Sequence, residues 1–569
     1  FKGKEAVLRI VDNATGGWGH INVDDIKQTD TKPPLPVEKT RKLTLNRAYL
    51  NFPVKTGAPK RLVALEVDGK VARQFDIELV ESEPEFWTFM DLAPFAGKKA
   101  TLRAFEMPEN SKALDAIELS DEIKGGENFY KEPLRPQFHF TSRVGWLNDP
   151  NGLVYQNGEY HLFYQHNPYG WNWGNMHWGH AVSPDLVHWK ELPIALYTDP
   201  MGTMFSGSAI IDTPDSLGLN REGKQALVAF YTAAGGASVE SANQPSTQCM
   251  AYSLDKGRSM TKFEGNPVLG NFVDGNRDPK VVRHEPSKRW IMALYMKDSD
   301  YALFGSDDMK KWEKLCDVSI PGTSECPEFF EIPIQGRAGE TRWIFYGANG
   351  GYLIGHFDGK AFTTESGPHM LHNGNAFYAA QTYNNTPDGR RIMMGWGQVA
   401  FPGTGFNQQM TFPVELTLRE TAEGLRLFTM PAREVESLYV ESRNLEPRPI
   451  AGGANVLEGI AGELLDLDLT IALGTAQGFR LGIGDFALAY DAVKREFSSA
   501  DKTAKLVPED GRIHLRVLVD RSSVEIYANN GRVYMPMGSV TPEKRNLTLT
   551  GDGASLDAGT IHTLKSIWQ

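Results

Sequence analysis

The run Ser183-Pro184-Asp185-x3-Trp189-Lys190-Glu191-Leu192 returns as Ser306-Asp307-Asp308-x3-Trp312-Glu313-Lys314-Leu315. The offset, 306 − 183 = 123 residues, is two units of about 60 residues, each long enough for three or four strands. A looser copy, Ser253-Leu254-Asp255 with Phe263-Glu264, falls between them. A repeated unit of that size cannot bury its apolar face alone and must stack on its neighbours, which predicts a propeller. The stretch from 136 to 430 has room for five such blades. Helical periodicity is scarce along the chain. Short alternating runs such as Leu62-Val63-Ala64-Leu65-Glu66-Val67 and His514-Leu515-Arg516-Val517-Leu518-Val519 alternate with Gly, Asn, Asp and Pro. The fold class expected is therefore all-β.

At 569 residues the chain exceeds one ordinary core. Three segments differ in flavour. Residues 1–130 are strand-like and poor in Trp, and are expected to form a sandwich-like domain. Residues 136–430 are rich in aromatics and His, and are expected to form the propeller. Residues 431–569 return to short alternating strands, ending in Ser523-Val524-Glu525-Ile526-Tyr527 before the turn Asn529-Asn530-Gly531, and are expected to form a second sandwich. Phe1-x-Gly3-Lys4-x-Ala6-x-Leu8-Arg9 recurs as Phe95-x-Gly97-Lys98-x-Ala100-x-Leu102-Arg103, a shift of 95 − 1 = 94. The chain is thus expected to begin inside one copy of a duplicated strand unit, with any secretion signal already absent. The N-terminal segment has two readings: a polysaccharide binder using Trp18 and Trp87, or a brace for the propeller, the latter favoured.

Composition excludes several classes. A net charge of −12 disfavours nucleic acid as a partner, because phosphate recognition needs clustered Lys and Arg. No apolar run is long enough to span a membrane. Cys249, Cys316 and Cys326 show no zinc-finger spacing, and His177-x2-His180 with nearby His188 reads as packing, so neither metal nor cofactor is expected. A G-x-S-x-G elbow, a P-loop and a dinucleotide fingerprint are all absent from the sequence.

What opens each expected blade is more informative. Asn148-Asp149-Pro150-Asn151-Gly152 has the local chemistry of a turn between two strands. Phe205-Ser206-Gly207-Ser208-Ala209 opens the next unit, followed by Asn276-Arg277-Asp278-Pro279-Lys280, Ser324-Glu325-Cys326-Pro327-Glu328 and Asn375-Ala376-Phe377-Tyr378-Ala379. Three of the five carry an acid followed by Pro, directly or after one residue. Inner strands of a propeller start near the central channel, so these carboxylates converge there, where they repel and are kept only by use.

The run WLNDPNGLVYQNGEYHLFYQHNPYG (146–170), with FSGSA (205–209), RDPK (277–280), ECPEFF (325–330) and LRVLVDRSSVEIYANNG (515–531), resembles glycoside hydrolase family 32, the invertases, inulinases and levanases. The resemblance covers about residue 136 to the end and leaves the first 130 residues unexplained. It implies a five-bladed propeller followed by a β-sandwich, hydrolysing β-fructofuranosidic bonds of levan, inulin or sucrose with retention, and an exported enzyme, secreted or periplasmic. By motif match Asp149 is the nucleophile, Glu325 the acid/base and Asp278 the transition-state stabiliser. Asn148, Gln165, Trp173, Phe205, Ser206 and Arg277 match sugar-pocket positions. Many relatives carry an acid before Phe-Tyr-Ala where this chain has Ala376, which puts one rim contact in doubt.

The chemistry asks for these types independently: one carboxyl protonated for the leaving oxygen, a second ionised to trap the oxocarbenium-like carbon. Glu325, beside Cys326-Pro327 and two other acids, is expected to hold its proton. Asp149, at a turn, is expected to stay ionised, and Asp278 to be compensated by Arg277. Glu328 is the rival acid/base, and Cys326 reads as a small buried residue rather than a thiol nucleophile. A fructosyltransferase, an endo-acting fructanase, a non-catalytic sugar-binding propeller, and a propeller family acting on arabinose or xylose are the alternatives. The intact trio of acids disfavours a lectin. The loop Gly235–Pro245 is expected in the pocket wall of an exo-acting enzyme.

Overall fold

The computed structural model describes residues 7–9, 35–221, 223–450, 454–541, 543–551 and 553–568. The proposed copy opening at Phe1, and Trp18, lie outside the described residues, apart from Val7–Arg9. Strands dominate, and the described helices are three short 3-10 turns.

Five mainly antiparallel sheets follow one another from Gly145 to Pro431, and their first strands are Gly145–Gln156, Thr203–Ile211, Arg277–His284, Glu328–Pro333 and Tyr378–Thr382. Each inner strand pairs with the next in sequence, which pairs with the third, so each sheet is a meander. Flat apolar faces cannot be buried within one sheet, and the core is accordingly shared between neighbours. Phe163 and Trp178 of the first sheet pack with Met204 and Tyr231 of the second. Phe230 and Met250 of the second pack with Trp290 and Met292 of the third. Tyr301 of the third packs with Phe329 and Phe345 of the fourth, and Ile344 of the fourth with Met393 of the fifth. Tyr383 and Ile392 of the fifth then pack with Leu147 and Leu162 of the first, closing the ring into a propeller. Each such large side chain contributes about 1.5–3 kcal/mol.

Polar bonds tie the inner strands around the axis. Gly207 N–H donates to Asn151 Oδ1 at 3.3 Å, and Ser208 Oγ to the Pro279 carbonyl at 2.9 Å. Lys280 Nζ donates to the Thr382 carbonyl at 2.9 Å and lies 2.7 Å from Glu328 Oε1, while Thr382 Oγ1 donates to Glu328 Oε2 at 2.6 Å. This ion pair is fully buried.

The repeated Ser-x-Asp turns join the third and fourth strands. Asp185 Oδ1 accepts from the Val187 and His188 amides, Asp255 Oδ1 from Ser259, and Asp308 Oδ1 from Lys310 and Lys311. Asp358 does the same with Lys360 and Ala361 in the fourth sheet, where the sequence similarity has faded.

Before the propeller lie a four-stranded sheet and a three-stranded one that share a core around Leu50, Phe52, Val63, Leu65 and Phe75. After it, two larger sheets enclose a second core. Asn529 and Asn530 both take positive φ in the tight turn between strands Ser523–Ala528 and Val533–Gly538. The propeller and this sandwich meet at His139, which is buried. Its Nδ1 lies 2.7 Å from Asp520 Oδ2 and its Nε2 lies 3.0 Å from Glu525 Oε1. Asp520 also accepts the Gln137 and Phe138 amides, and Glu525 the Phe412 amide.

Candidate active site

The segment read locally as a turn is one strand, Gly145–Gln156, interrupted by two register shifts, at Leu147/Pro150 and Asn151/Val154. Its turn-forming residues serve bulges instead: Pro150 has no N–H to place in a ladder, and Gly152 takes φ +56°. The bulged stretch carries Asp149. Ser206 Oγ donates to Asp149 Oδ2 at 2.6 Å and Asn148 Nδ2 to Oδ1 at 3.0 Å, while Asn148 Oδ1 accepts from Trp146 Nε1 at 2.8 Å.

Asp278, almost wholly buried, begins the third inner strand at φ +65°, and Glu325 and Cys326 precede the fourth at +58° and +35°. Three site positions in the left-handed region, two of them adjacent, mark backbone strain held by its surroundings. The Cys326 amide donates to Asp278 Oδ2 at 3.0 Å. The Cys326 thiol lies 3.5 Å from both Asp278 Oδ2 and Asp149 Oδ2. The three acids are therefore gathered around one residue: two share its sulfur and the third precedes it in the chain. Burial and the neighbouring carboxylates push the Cys326 thiol well above its ordinary value, so it stays protonated and can donate its one proton to either aspartate. Its contact with two acids gives it a positioning role beyond the small buried residue expected from sequence.

The electrostatics differ from expectation in how Arg277 is used. Its Nη2 donates to Glu325 Oε1 at 2.6 Å, whereas its Nε is 3.7 Å from Asp278 Oδ2. Tyr378 donates its hydroxyl to the other Glu325 oxygen at 2.8 Å. Glu325 thus sits among donors rather than in the apolar niche expected from Cys326-Pro327. Burial raises the Asp278 carboxyl to about 7; Arg277 opposes this, and the charges of Glu325 and Asp149 add to it. Burial also raises Asp149, against the hydrogen bonds of Ser206 and Asn148.

Glu328 is elsewhere: fully buried, it pairs with Lys280 as described. Gln165 is also buried, with Nε2 on the Met204 carbonyl at 2.8 Å, next to Phe205. Trp173 is half exposed and meets Phe205 edge-to-face at 6.1 Å. The Thr203↔Ala234 pairing puts the Gly235–Pro245 loop at the same end of the second sheet as Ser206. Phe377, beside Ala376, packs against Tyr534 of the C-terminal sandwich. Tyr378 lies in the fifth blade-opening motif, which has no acid to mark it as part of the site. Thr232, which accepts the Asp278 amide at 2.9 Å, has no motif to betray it.

His177 and His180 are buried, the latter stacked on Phe163 at 4.1 Å and 3.1 Å from His161 Nδ1. His188 pairs with Asp185 at 2.8 Å. No group of three potential ligands able to hold a metal occurs among the described residues.

Residues 139–431 match the Glycosyl hydrolases family 32 N-terminal domain, and residues 475–537 the Glycosyl hydrolases family 32 C terminal. A levanase of Bacillus subtilis (strain 168) is 36% identical over 495 residues, 78% of this chain and 72% of that protein. An extracellular exo-inulinase of Aspergillus ficuum is 31% identical over 523 residues, 77% of this chain and 96% of that one. Among solved structures, an exo-inulinase from Aspergillus awamori superposes with a TM-score of 0.69 at 27% identity, covering 77% of this chain and 100% of its own. A propeller that gathers three acids and a match over more than half the chain lead to one conclusion: this protein belongs to glycoside hydrolase family 32.

Proposed function

We propose that this glycoside hydrolase releases terminal fructose from β-fructans, and from sucrose, by double displacement. The observation that carries the reading is the convergence of Asp149, Asp278 and Glu325 on Cys326. In the first step Asp149 attacks the anomeric carbon of the terminal fructosyl unit. The glycosidic C–O bond breaks, and Glu325 passes its proton to the departing oxygen. In the second, water attacks the same carbon, Glu325 accepts its proton, and the ester bond to Asp149 breaks. Ser206 and Asn148 favour the ionised Asp149 that attack requires. Tyr378 and Arg277 orient Glu325. Asp278, fixed by the Cys326 amide, accepts from fructosyl hydroxyls as positive charge develops.

Residues 136–430 form the catalytic unit in this reading, with 1–130 and 431–569 as accessory domains. Substrate choice draws on relatives named levanase, exo-inulinase and invertase. Exo-action is argued from the edge-to-face pair of Trp173 and Phe205, the latter next in the chain to Ser206, which bonds Asp149. Export, to the medium or periplasm, draws on relatives described as extracellular; no helix among the described residues is long and apolar enough to cross a membrane. Chromatography of early products from levan, inulin and sucrose tests the reading. Fructose as the sole fructan product is expected. A ladder of short oligomers at low conversion, or no cleavage of any of the three, would overturn it.

A further inference from the structure

The sheets that precede the propeller are attached to it beside the pocket. Tyr169, four residues before Trp173, is buried in the N-terminal core rather than in the propeller. Its ring stacks on Phe75 with centroids 3.6 Å apart and meets Phe52 edge-on at 6.2 Å. Asn175, two residues after Trp173, takes φ +44°, a conformation that Asn tolerates better than most residues. Its side chain then acts as a one-residue strand partner for the edge strand Lys70–Ile77. Asp76 N–H donates to Asn175 Oδ1 at 2.9 Å, and Asn175 Nδ2 donates to the Asp76 carbonyl at 2.8 Å. The edge groups of a sheet seek such partners.

Between these two attachments the loop is tied to the propeller. Asn167 Nδ2 donates to the Asn172 carbonyl at 2.8 Å. Trp171 Nε1 donates to the Phe401 carbonyl at 3.2 Å, and Asn407 Nδ2 to the Trp171 carbonyl at 3.1 Å. Trp173 alone projects, half exposed, against Phe205, whose chain neighbour Ser206 donates to Asp149.

We propose that the N-terminal sheets set the pocket rim: Phe75 and Asp76, by docking Tyr169 and Asn175, hold the loop that presents Trp173 and thereby fix the affinity for the sugar at the pocket mouth. Asn175 and Phe75 are positioning residues, since neither is among the groups around the acids. The choice of sugar rests on the function proposed above; the docking does not. A loop fixed before substrate arrives need not be ordered on binding, which lowers the cost of association. The reading favours a brace for the N-terminal sheets and gives that brace a consequence for substrate recognition.

The test uses the full chain with Asn175→Gly, which removes both bonds to Asp76 without a φ penalty but also the 3.1 Å bond from Asn175 Nδ2 to Asn167 Oδ1, and Phe75→Leu, which leaves that third bond intact and removes the stack from the far side. Tyr169→Phe keeps the ring and is the conservative control. Steady-state kinetics on a fructo-oligosaccharide should show KM raised about tenfold in the first two, since ordering a freed loop on binding costs that much, with kcat within about twofold and Tyr169→Phe like wild type. Acrylamide quenching of Trp173 fluorescence, taken as the difference from the same protein carrying Trp173→Phe, should rise in both and needs no substrate. It therefore separates failure of this proposal from failure of the proposed activity. Unchanged quenching in Asn175→Gly and Phe75→Leu overturns the proposal. So does greater quenching with KM unmoved, or a fall in kcat alone in step with lost folded protein.

Discussion

Ser206 donates its hydroxyl to Asp149 Oδ2 at 2.6 Å, across from the first inner strand to the second. The bond stabilises the ionised carboxylate against a burial that raises its pKa. Ser206→Ala removes that donor, so Asp149 protonates at higher pH. The acidic limb of the kcat/KM profile should move upward, and activity on its plateau should fall by about tenfold or more, the worth of a hydrogen bond to a charged group. A pH–rate series on the variant and wild type checks both.

Asp278 illustrates a site held against stability. Its folded value of about 7 lies above that of an unfolded aspartate. The stability linked to its proton is complete below the unfolded value and is lost as pH rises through about 7. Asp278→Asn should therefore melt about a few degrees higher than wild type at pH 8, with the gain vanishing near pH 4. Turnover should fall by about 10²–10³-fold, because a transition-state acceptor is gone. Thermal melts across pH beside kinetics would show the two effects together.

His139 should govern alkaline stability. Burial opposes its charge, but the bonds to Asp520 and Glu525 outweigh it and raise its pKa to about 9. The stability it contributes is full below the unfolded histidine value and is lost as pH climbs through about 9. Asp520, held low by His139 and two backbone amides despite burial, has the opposite sign and loses its contribution only in acid. His139→Gln should cost about 3–5 kcal/mol, because two buried carboxylates lose their cation. It should also flatten the decline between neutral pH and pH 9, which denaturant melts would reveal.

Glu328 and Glu325 are three residues apart and should fail differently. Glu328→Gln strands the buried Lys280 ammonium at a cost of about 3–5 kcal/mol, yet the folded fraction should keep the wild-type pH profile. Glu325→Gln should stay folded and lose most of its turnover, because the leaving oxygen has no proton donor. Kinetics per folded molecule, with folding followed by circular dichroism, separate the two.

Much of this was legible because the repeat is a local device. The Ser-x-Asp turns bond their own backbone, so each leaves a signature in sequence. The acids could be found because inner strands open near one axis. Their pairing could not, because it depends on where the Arg277 guanidinium reaches: Nη2 bonds Glu325 across sheets, Nη1 the Gly275 carbonyl, and Nε stands 3.7 Å from the neighbouring Asp278. Asn148–Gly152 misled locally, since bulges use the same residues as turns. Cys326 hid its role because a thiol wedged between carboxylates has no spacing rule. The docking of Tyr169 and Asn175 was equally invisible: a Tyr and an Asn in a loop do not declare which core or strand edge they join.

Asp149 is the covalent nucleophile of the proposed reaction, and the turnover of Asp149→Ala on a β-fructan, measured on protein with a wild-type melting profile, tests that role most directly. A loss of about 10⁴-fold or more in kcat is expected, as for removal of any group that forms the intermediate. Turnover near that of the wild type would return Asp149 to being part of a bulge.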